Sequence, residues 1–290
     1  MSATADVVAP RLAEPVPAPR RLLGRLARSP AGVTGLFLTL VVVTVAVAAP
    51  LLAPTDPFAI VGPALSPPSP EHAMGTDALG RDVLSAVIHG ARTSMLVAGG
   101  VAIIVFLVGV TVGTLGGYRG GWLDDLLMRG TEAVQVLPRF FLAIIVIAFF
   151  GPGLDRLVIV LGLTSWPLLA RVIRAEVLSL RHREFVEAAR SHGASDIRVI
   201  VREILPNVLP SGIALIGLLL AQVILIEAGL GFLGLGDPNA VSWGYLANEA
   251  QRFLRVAWWL SIFPGAAIFV AVLGLNLLGD ALTDALGRRR

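Results

Sequence analysis

The sequence has no cysteine and no lysine: all 23 of its basic residues are arginine. Without cysteine there is no disulfide, no thiolate nucleophile and no cysteine-ligated metal. Without lysine there is no Walker A phosphate loop, which needs Gly-Lys-Ser/Thr, and no Schiff-base amine. If ATP drives this chain, the ATPase is another polypeptide. Its four histidines, His72, His89, His182 and His192, are scattered through polar stretches with no HxxxH or HExxH spacing. No metal site and no catalytic constellation is expected from them, and the chain is not expected to be an enzyme.

Charge is scarce too. Only 15% of the 290 residues are charged and 56% are hydrophobic, with a mean hydropathy of +0.81. Soluble domains sit near about 45–50% apolar and about 25% charged. The apolar excess falls in runs of roughly 18–22 residues, long enough to cross a bilayer core as helices. Helices are the spans that satisfy their own backbone within lipid. The expected fold is all-α, a polytopic membrane protein with six transmembrane helices. They lie at about 31–53, 96–117, 140–150 (with 134–137 before it), 157–172, 207–226 and 258–278.

The segments between these spans set the organisation. Residues 1–30 form an Ala/Pro-rich tail, and 31–53 the first span. A signal peptide is the competing reading there, because Ala46-Val47-Ala48 fits a small-x-small cleavage site. The apolar run is longer than a signal peptide's and follows a long tail, so an uncleaved span is expected. Residues 54–94 are a Pro-rich loop followed by an amphipathic piece, 95–286 a core of five spans, and 287–290 a short end.

Six spans put both termini on one side. That side carries eighteen arginines, in the tail, the 2–3 loop, the 4–5 loop and the final Arg288-Arg289-Arg290; the other carries five. The positive-inside rule then makes the termini and both loops cytoplasmic and the 54–94 loop extracellular. A pI near 10.4 is compatible with nucleic acid. The placement of the arginines favours topology and lipid contact instead, so the bilayer is the expected partner and nucleic acid is not.

Within the spans, Gly109, Gly113 and Gly117 recur at i, i+4, i+8 and strip one helix face, inviting close approach of another helix. Gln222 and Glu227 lie toward the outer end of the fifth span. An acid there must face a cavity or a partner, so these two are candidates for lining a path or for a structural contact. Asn276, Asp280 and Asp284 close the last span and read as contacts with neighbouring cytoplasmic loops.

The most informative stretch is polar. Between the fourth and fifth spans, 178–191 reads as a helix supported by Arg183 and Glu187 at i, i+4. Gly193 fits the left-handed position after it. Ser195 is a plausible N-cap for a second helix, with Asp196 at its positive end. Ile197, Ile200, Val201 and Ile204 then form an apolar stripe that can rest on the spans. Leu205 and Pro206 open the fifth span. The first helix is left presenting Glu184, Glu187, Ala188, Ala189 and Arg190 outward. A helix lying on lipid would pair a large apolar face with a cationic one. This one is small and acidic at its centre, which favours docking against a protein.

That stretch, "EAARSHGASDIRVIVREILP", resembles the EAA loop of ABC-importer permeases at Glu187, Ala188, Ala189, Gly193, Leu205 and Pro206. Further stretches resemble the dipeptide/oligopeptide/nickel branch, in its C-type subunit. They are "GTDALGRDVLSAVIHGARTS", "GGWLDDLLMR", "SWPLLARVIRAEVLSLRHREFVEAAR", "EAGLGFLGLG" and "NLLGDALTDAL". Glu203 departs from the branch, which usually carries His there; Gly229, Gly231 and Thr283 depart as well.

The resemblance implies a type I ABC importer permease in the inner membrane of a bacterium. It would pair with a homologous B-type permease, one or two ABC ATPase subunits and an extracellular peptide-binding protein. ATP and Mg would be held by the ATPases, with no cofactor in this chain. Di- or oligopeptides would be the cargo, with nickel or another small solute as the alternative. Glu184, Glu187, Ala188, Ala189, Arg190 and Gly193 would couple to the ATPase, supported by Ser195, Asp196, Leu205 and Pro206. An ion-coupled carrier would need acids deep in the spans and inverted repeats, and neither is found. A purely structural anchor for an ATPase is the remaining alternative.

Overall fold

In the computed structural model, residues 24–136 and 138–287 are described. The tail arginines Arg11, Arg20 and Arg21 and the terminal Arg288, Arg289 and Arg290 lie outside them. Among the described residues the fold is all-α. The helices are α1 (Pro30–Val47), α2 (Val83–Arg119), α3 (Gly121–Val136), α4 (Arg139–Phe150), α5 (Leu154–Leu180), α6 (Glu184–Ser191), α7 (Asp196–Val199), α8 (Leu205–Phe232), α9 (Trp243–Ala250) and α10 (Trp259–Gly287). A π turn, Ile200–Ile204, joins α7 to α8 without a break in the chain's course. Five helical stretches are long and apolar enough to cross a membrane. The pair α3 and α4, bent by 74°, makes six if it counts as one span. Pro138 stands at that bend, where it lacks the N–H a continuous helix would use.

The second span is longer than its apolar run. The amphipathic piece expected before it is the beginning of α2 itself, which starts at Val83 because Asp82 caps it. The Asp82 carboxylate accepts from Ser85 N at 2.8 Å and from Ser85 Oγ at 2.7 Å. The loop before it is folded on its own polar groups. Asp77 accepts from Leu79 N and Arg81 N, and Thr76 Oγ1 donates to Pro63 O at 2.6 Å. Two indoles tie this end of the bundle together: Trp243 Nε1 donates to Val87 O and Trp259 Nε1 to Thr76 O.

The glycine face of α2 packs against α5. A Cβ at Gly109 would lie 3.0 Å from Leu169 Cβ, one at Gly113 2.8 Å from Ile173 Cβ, and one at Gly117 2.8 Å from Val177 Cβ. The three glycines therefore serve packing within the chain. Val97, Val101, Val105, Leu161, Leu169, Ile173 and Val177 are buried along this contact. Gly116, one position round, leaves room for the Asp124 carboxylate of α3, which pairs in bidentate fashion with Arg174 of α5 at 2.5 and 2.6 Å. One helix pair thus also fixes the start of the bent span.

α1 runs antiparallel to α10. Gly32 approaches Ala281, Gly274 approaches Leu38 and Thr39, and Arg25 Nη1 donates to Ala285 O at 2.8 Å. Gly279 of α10 in turn meets Leu218 of α8. The two ends of the described chain, the α2–α3 turn and the α6–α7 hairpin therefore share one end of the bundle. Asp280 and Asp284 are exposed on the last turns of α10.

The seam makes a matched pair of substitutions informative. Gly113→Ala places a methyl against Ile173 and is expected to cost about 1–3 kcal/mol by overpacking. Gly99→Ala lies on the same helix with nothing within 4 Å of the new methyl, and should be neutral or slightly stabilising. Reversible unfolding in mixed micelles measures both; equal effects would show that α2 and α5 do not meet through Gly113.

Candidate functional site

The hairpin between α5 and α8 is built from chain breaks. α5 continues to Leu180, and the polypeptide then turns through residues 181–183 before α6 begins at Glu184. The single helix expected over 178–191 is therefore two helices. Arg183 stands at the N-cap position of α6 rather than inside a helix, its carbonyl accepting from Glu187 N at 3.1 Å. The turn is held from α2: Arg181 Nη1 donates to Gly117 O at 3.1 Å, satisfying a carbonyl that the end of α2 leaves free.

α6 is short, with Glu184 and Glu187 in its first turn and Arg190 in its last, so its charges complement the helix dipole. It ends in a Schellman motif. Gly193 N bonds to Arg190 O at 2.9 Å and Ala194 N to Ala189 O at 3.1 Å, with Gly193 at φ +78°. An added Cβ there would touch nothing within 4 Å, so the glycine is needed for its backbone conformation and not for space.

Val186 is buried and Ala189, one turn on, is half-buried against the bundle. Glu184, Phe185, Glu187, Ala188, Arg190 and Ser191 remain exposed. The outward surface expected for the small pair thus belongs to Ala188 alone. A helix turns 100° per residue, and that step carries Ala189 round to the side of Val186.

The second arm also departs from the expected pattern. Ser195 is at the N-cap position of α7, but its side chain makes no capping bond. Asp196 accepts instead from the hydroxyl of Tyr118, at 2.7 Å. The buried residues are Val199 and Ile204, with Ile200 half-buried, whereas Ile197 is 76% and Val201 54% exposed. The π turn at 200–204 widens the helix and shifts the phase on which the expected stripe depended. Leu205 is half-buried and Pro206 exposed; the helix runs on through them, with Leu205 N bonded five residues back to Ile200 O beside a proline that has no N–H to donate. Glu203 is half-buried, and its carbonyl accepts from Asn207 Nδ2 at 2.7 Å.

Gln222 and Glu227 are not brought together. Gln222 is exposed beside a shallow groove lined by Pro138, Arg139, Phe140, Leu225 and Ile226. Glu227 is 2% exposed and accepts from Ser94 Oγ of α2 at 3.0 Å, an interior contact between two spans. Of the two roles open to it, the geometry supports the structural one. Among the described residues, no group of three or more His, Cys, Asp or Glu is placed to hold a metal ion.

The residues that sequence reasoning missed are those that join elements: Tyr118, Asp124 with Arg174, Arg181 and Ser94. One signal was available for Tyr118, which is one of two tyrosines in the chain and sits at a helix end before Arg119-Gly120.

Five apolar helical spans, or six with the bent pair, and an exposed, charged hairpin at the end shared by the two ends of the described chain define a class: a polytopic helical membrane protein. The chain belongs to the family of binding-protein-dependent transport system inner membrane components, whose model matches residues 109–290. It is 37% identical over 268 residues to the dipeptide transport system permease protein DppC of Bacillus subtilis, covering 90% of this chain and 83% of that one. It is 40% identical over 257 residues to a putative peptide transport system permease of Brucella suis, with 88% and 86% covered. The glutathione transport system permease GsiD of Pectobacterium atrosepticum is 40% identical over 221 residues, with 76% and 73% covered.

In fold, a chain of the inward-facing methionine ABC transporter MetNI matches with a TM-score of 0.58 at 19% identity, over 71% of this chain and 98% of that one. The protein is accordingly a permease component of an ABC importer, multi-pass in a bacterial membrane. Its family implies ATPase and substrate-binding partners, which is consistent with a non-enzymatic subunit.

The Ser94–Glu227 contact generates a test. Glu227→Gln keeps an acceptor oxygen and should leave stability nearly unchanged. Glu227→Ala strands the buried Ser94 hydroxyl and should cost about 1–3 kcal/mol. Unfolding in mixed micelles distinguishes them, and equal losses would show that the hydrogen bond is not what Glu227 contributes.

Proposed function

We propose that this permease forms, with a homologous B-type permease, the translocation path for di- or oligopeptides in a type I importer, and that α6 docks into an ABC ATPase subunit. The observation that carries the proposal is the exposed face of α6. Glu184, Glu187 and Ala188 project from the arginine-rich end of the bundle, and among the described residues no other element covers them. A small residue flanked by carboxylates lets a second surface approach closely while fixing its register. The arginine distribution supports a cytoplasmic position for this end and for both termini. Peptide cargo is supported by its relatives, which are named as dipeptide, peptide and glutathione permeases.

The mechanism follows from rigidity. When two ATPase subunits close on ATP, the α6 helices seated in them are drawn together. A hairpin stiffened by the Schellman motif and by the buried Val186, Val199 and Ile204 passes that displacement to the spans instead of absorbing it. The two permeases then rock between inward- and outward-open arrangements. This chain makes and breaks no covalent bond. ATP and Mg are held by the ATPases, and an extracellular peptide-binding protein delivers the cargo.

In the importer assembled with its partner subunits in vesicles, a panel of di- and tripeptides with their binding protein should stimulate ATP hydrolysis and be taken up. Stimulation by nickel alone would contradict the peptide assignment. Ala188→Trp should lower uptake at least about tenfold, the effect of losing some 1.4 kcal/mol of docking free energy. Membrane insertion should be unaffected. Uptake unchanged by Ala188→Trp would remove α6 from the ATPase contact.

A further inference from the structure

We propose that Tyr118 is a latch holding the α6–α7 hairpin and α2 as one moving unit, so that displacement of the hairpin reaches the spans through α2. The inference rests on the reading that an ATPase moves the hairpin. The covalent links of the hairpin lead to α5 and α8, whereas α2 is joined to it through side chains. Tyr118 lies in the last turn of α2 and is buried, 7% exposed. Its hydroxyl donates to Asp196 Oδ1 of α7 at 2.7 Å, a bond strengthened by the carboxylate's charge. The guanidinium of Arg190, at the end of α6, lies 5.0 Å from the centre of its ring. One side chain of α2 therefore grips both arms, and between those arms lies Gly193, the residue about which they would otherwise hinge. Below it, Arg181 Nη1 on Gly117 O braces the turn that leads into α6.

A latch makes a demand that a merely stabilising contact does not: the distance between α2 and the hairpin must stay constant while the hairpin moves. The chain has no cysteine, so two can be introduced for spin labels without a background. Leu96→Cys and Arg198→Cys place exposed labels on the outer half of α2 and on α7, separated by about 35 Å of helix. The complete importer is measured in vesicles by pulsed dipolar spectroscopy, at rest and trapped with ATP and vanadate, with trapped nucleotide quantified in every sample.

The latch predicts one distance in both states for the otherwise unaltered chain. Tyr118→Phe keeps the ring and loses the hydroxyl; it and Asp196→Ala should each raise the population at a second distance about tenfold on trapping, the weight of one hydrogen bond to a charged group. Combining the two should add nothing, and Asp196→Asn, which keeps an acceptor oxygen, should retain the single distance. The proposal is overturned if the unaltered chain already changes distance on trapping, or if Tyr118→Phe does not. It also falls if the two substitutions add, or if Asp196→Asn slips as far as Asp196→Ala. Absence of trapped nucleotide in the unaltered importer would overturn the ATPase-docking reading itself, and is seen separately because nucleotide is measured directly.

Discussion

The close approach of α2 and α5 is the constraint on which the rest of this structure depends. Gly109, Gly113 and Gly117 remove the side chains that would hold two long helices apart, and Leu169, Ile173 and Val177 occupy the space. Apolar side chains gain little by leaving lipid for one another, so association in a bilayer rests on dispersion contacts and on interhelical polar bonds. The seam supplies the first. Its ends supply the second: Ser94 with Glu227 toward one end, Asp124 with Arg174 and Arg181 with Gly117 O toward the other. A single helix pair thereby positions the bent third span, the start of the hairpin and the neighbouring α8.

The hairpin owes its shape to the same register. Because α5 continues to Leu180 beside Gly117, the break at 181–183 falls against the end of α2, where Arg181 can reach a free carbonyl. α6 then starts at Glu184, and its phase is set by Val186 turning inward. From there each residue has a fixed direction: Ala189 inward, Ala188 outward, and Arg190 over Tyr118. The exposed face of α6 follows from where α5 stops as much as from the motif that marks it.

Much of this was legible in the sequence. Apolar run lengths gave an all-α chain with five apolar spans, or six with the bent pair. The i, i+4, i+8 glycines gave a packing face, and Gly193 gave a helix stop. These succeed because they rest on local chemistry: backbone solvation in lipid, the absence of a Cβ, the left-handed conformation. What was missed depends on partners distant in sequence. Nothing near Asp196 shows that it pairs with Tyr118, 78 positions away, and nothing near Glu227 shows that Ser94 meets it. The stripe over 197–204 failed for a subtler reason, since ordinary helical periodicity does not anticipate a π turn. Arg183 and Glu187 had the right spacing for a helix pair, but α6 begins between them.

The central claim is that the exposed side of α6, and not its buried side, meets the ATPase. Ala188 and Ala189 are adjacent, identical and differently placed, which makes them a direct probe. Single cysteines introduced as Ala188→Cys and Ala189→Cys into this cysteine-free chain can be tested for cross-linking to the ATPase in the assembled importer. The account predicts that position 188 cross-links efficiently and position 189 does not. Equal cross-linking at both, or a preference for 189, would contradict it.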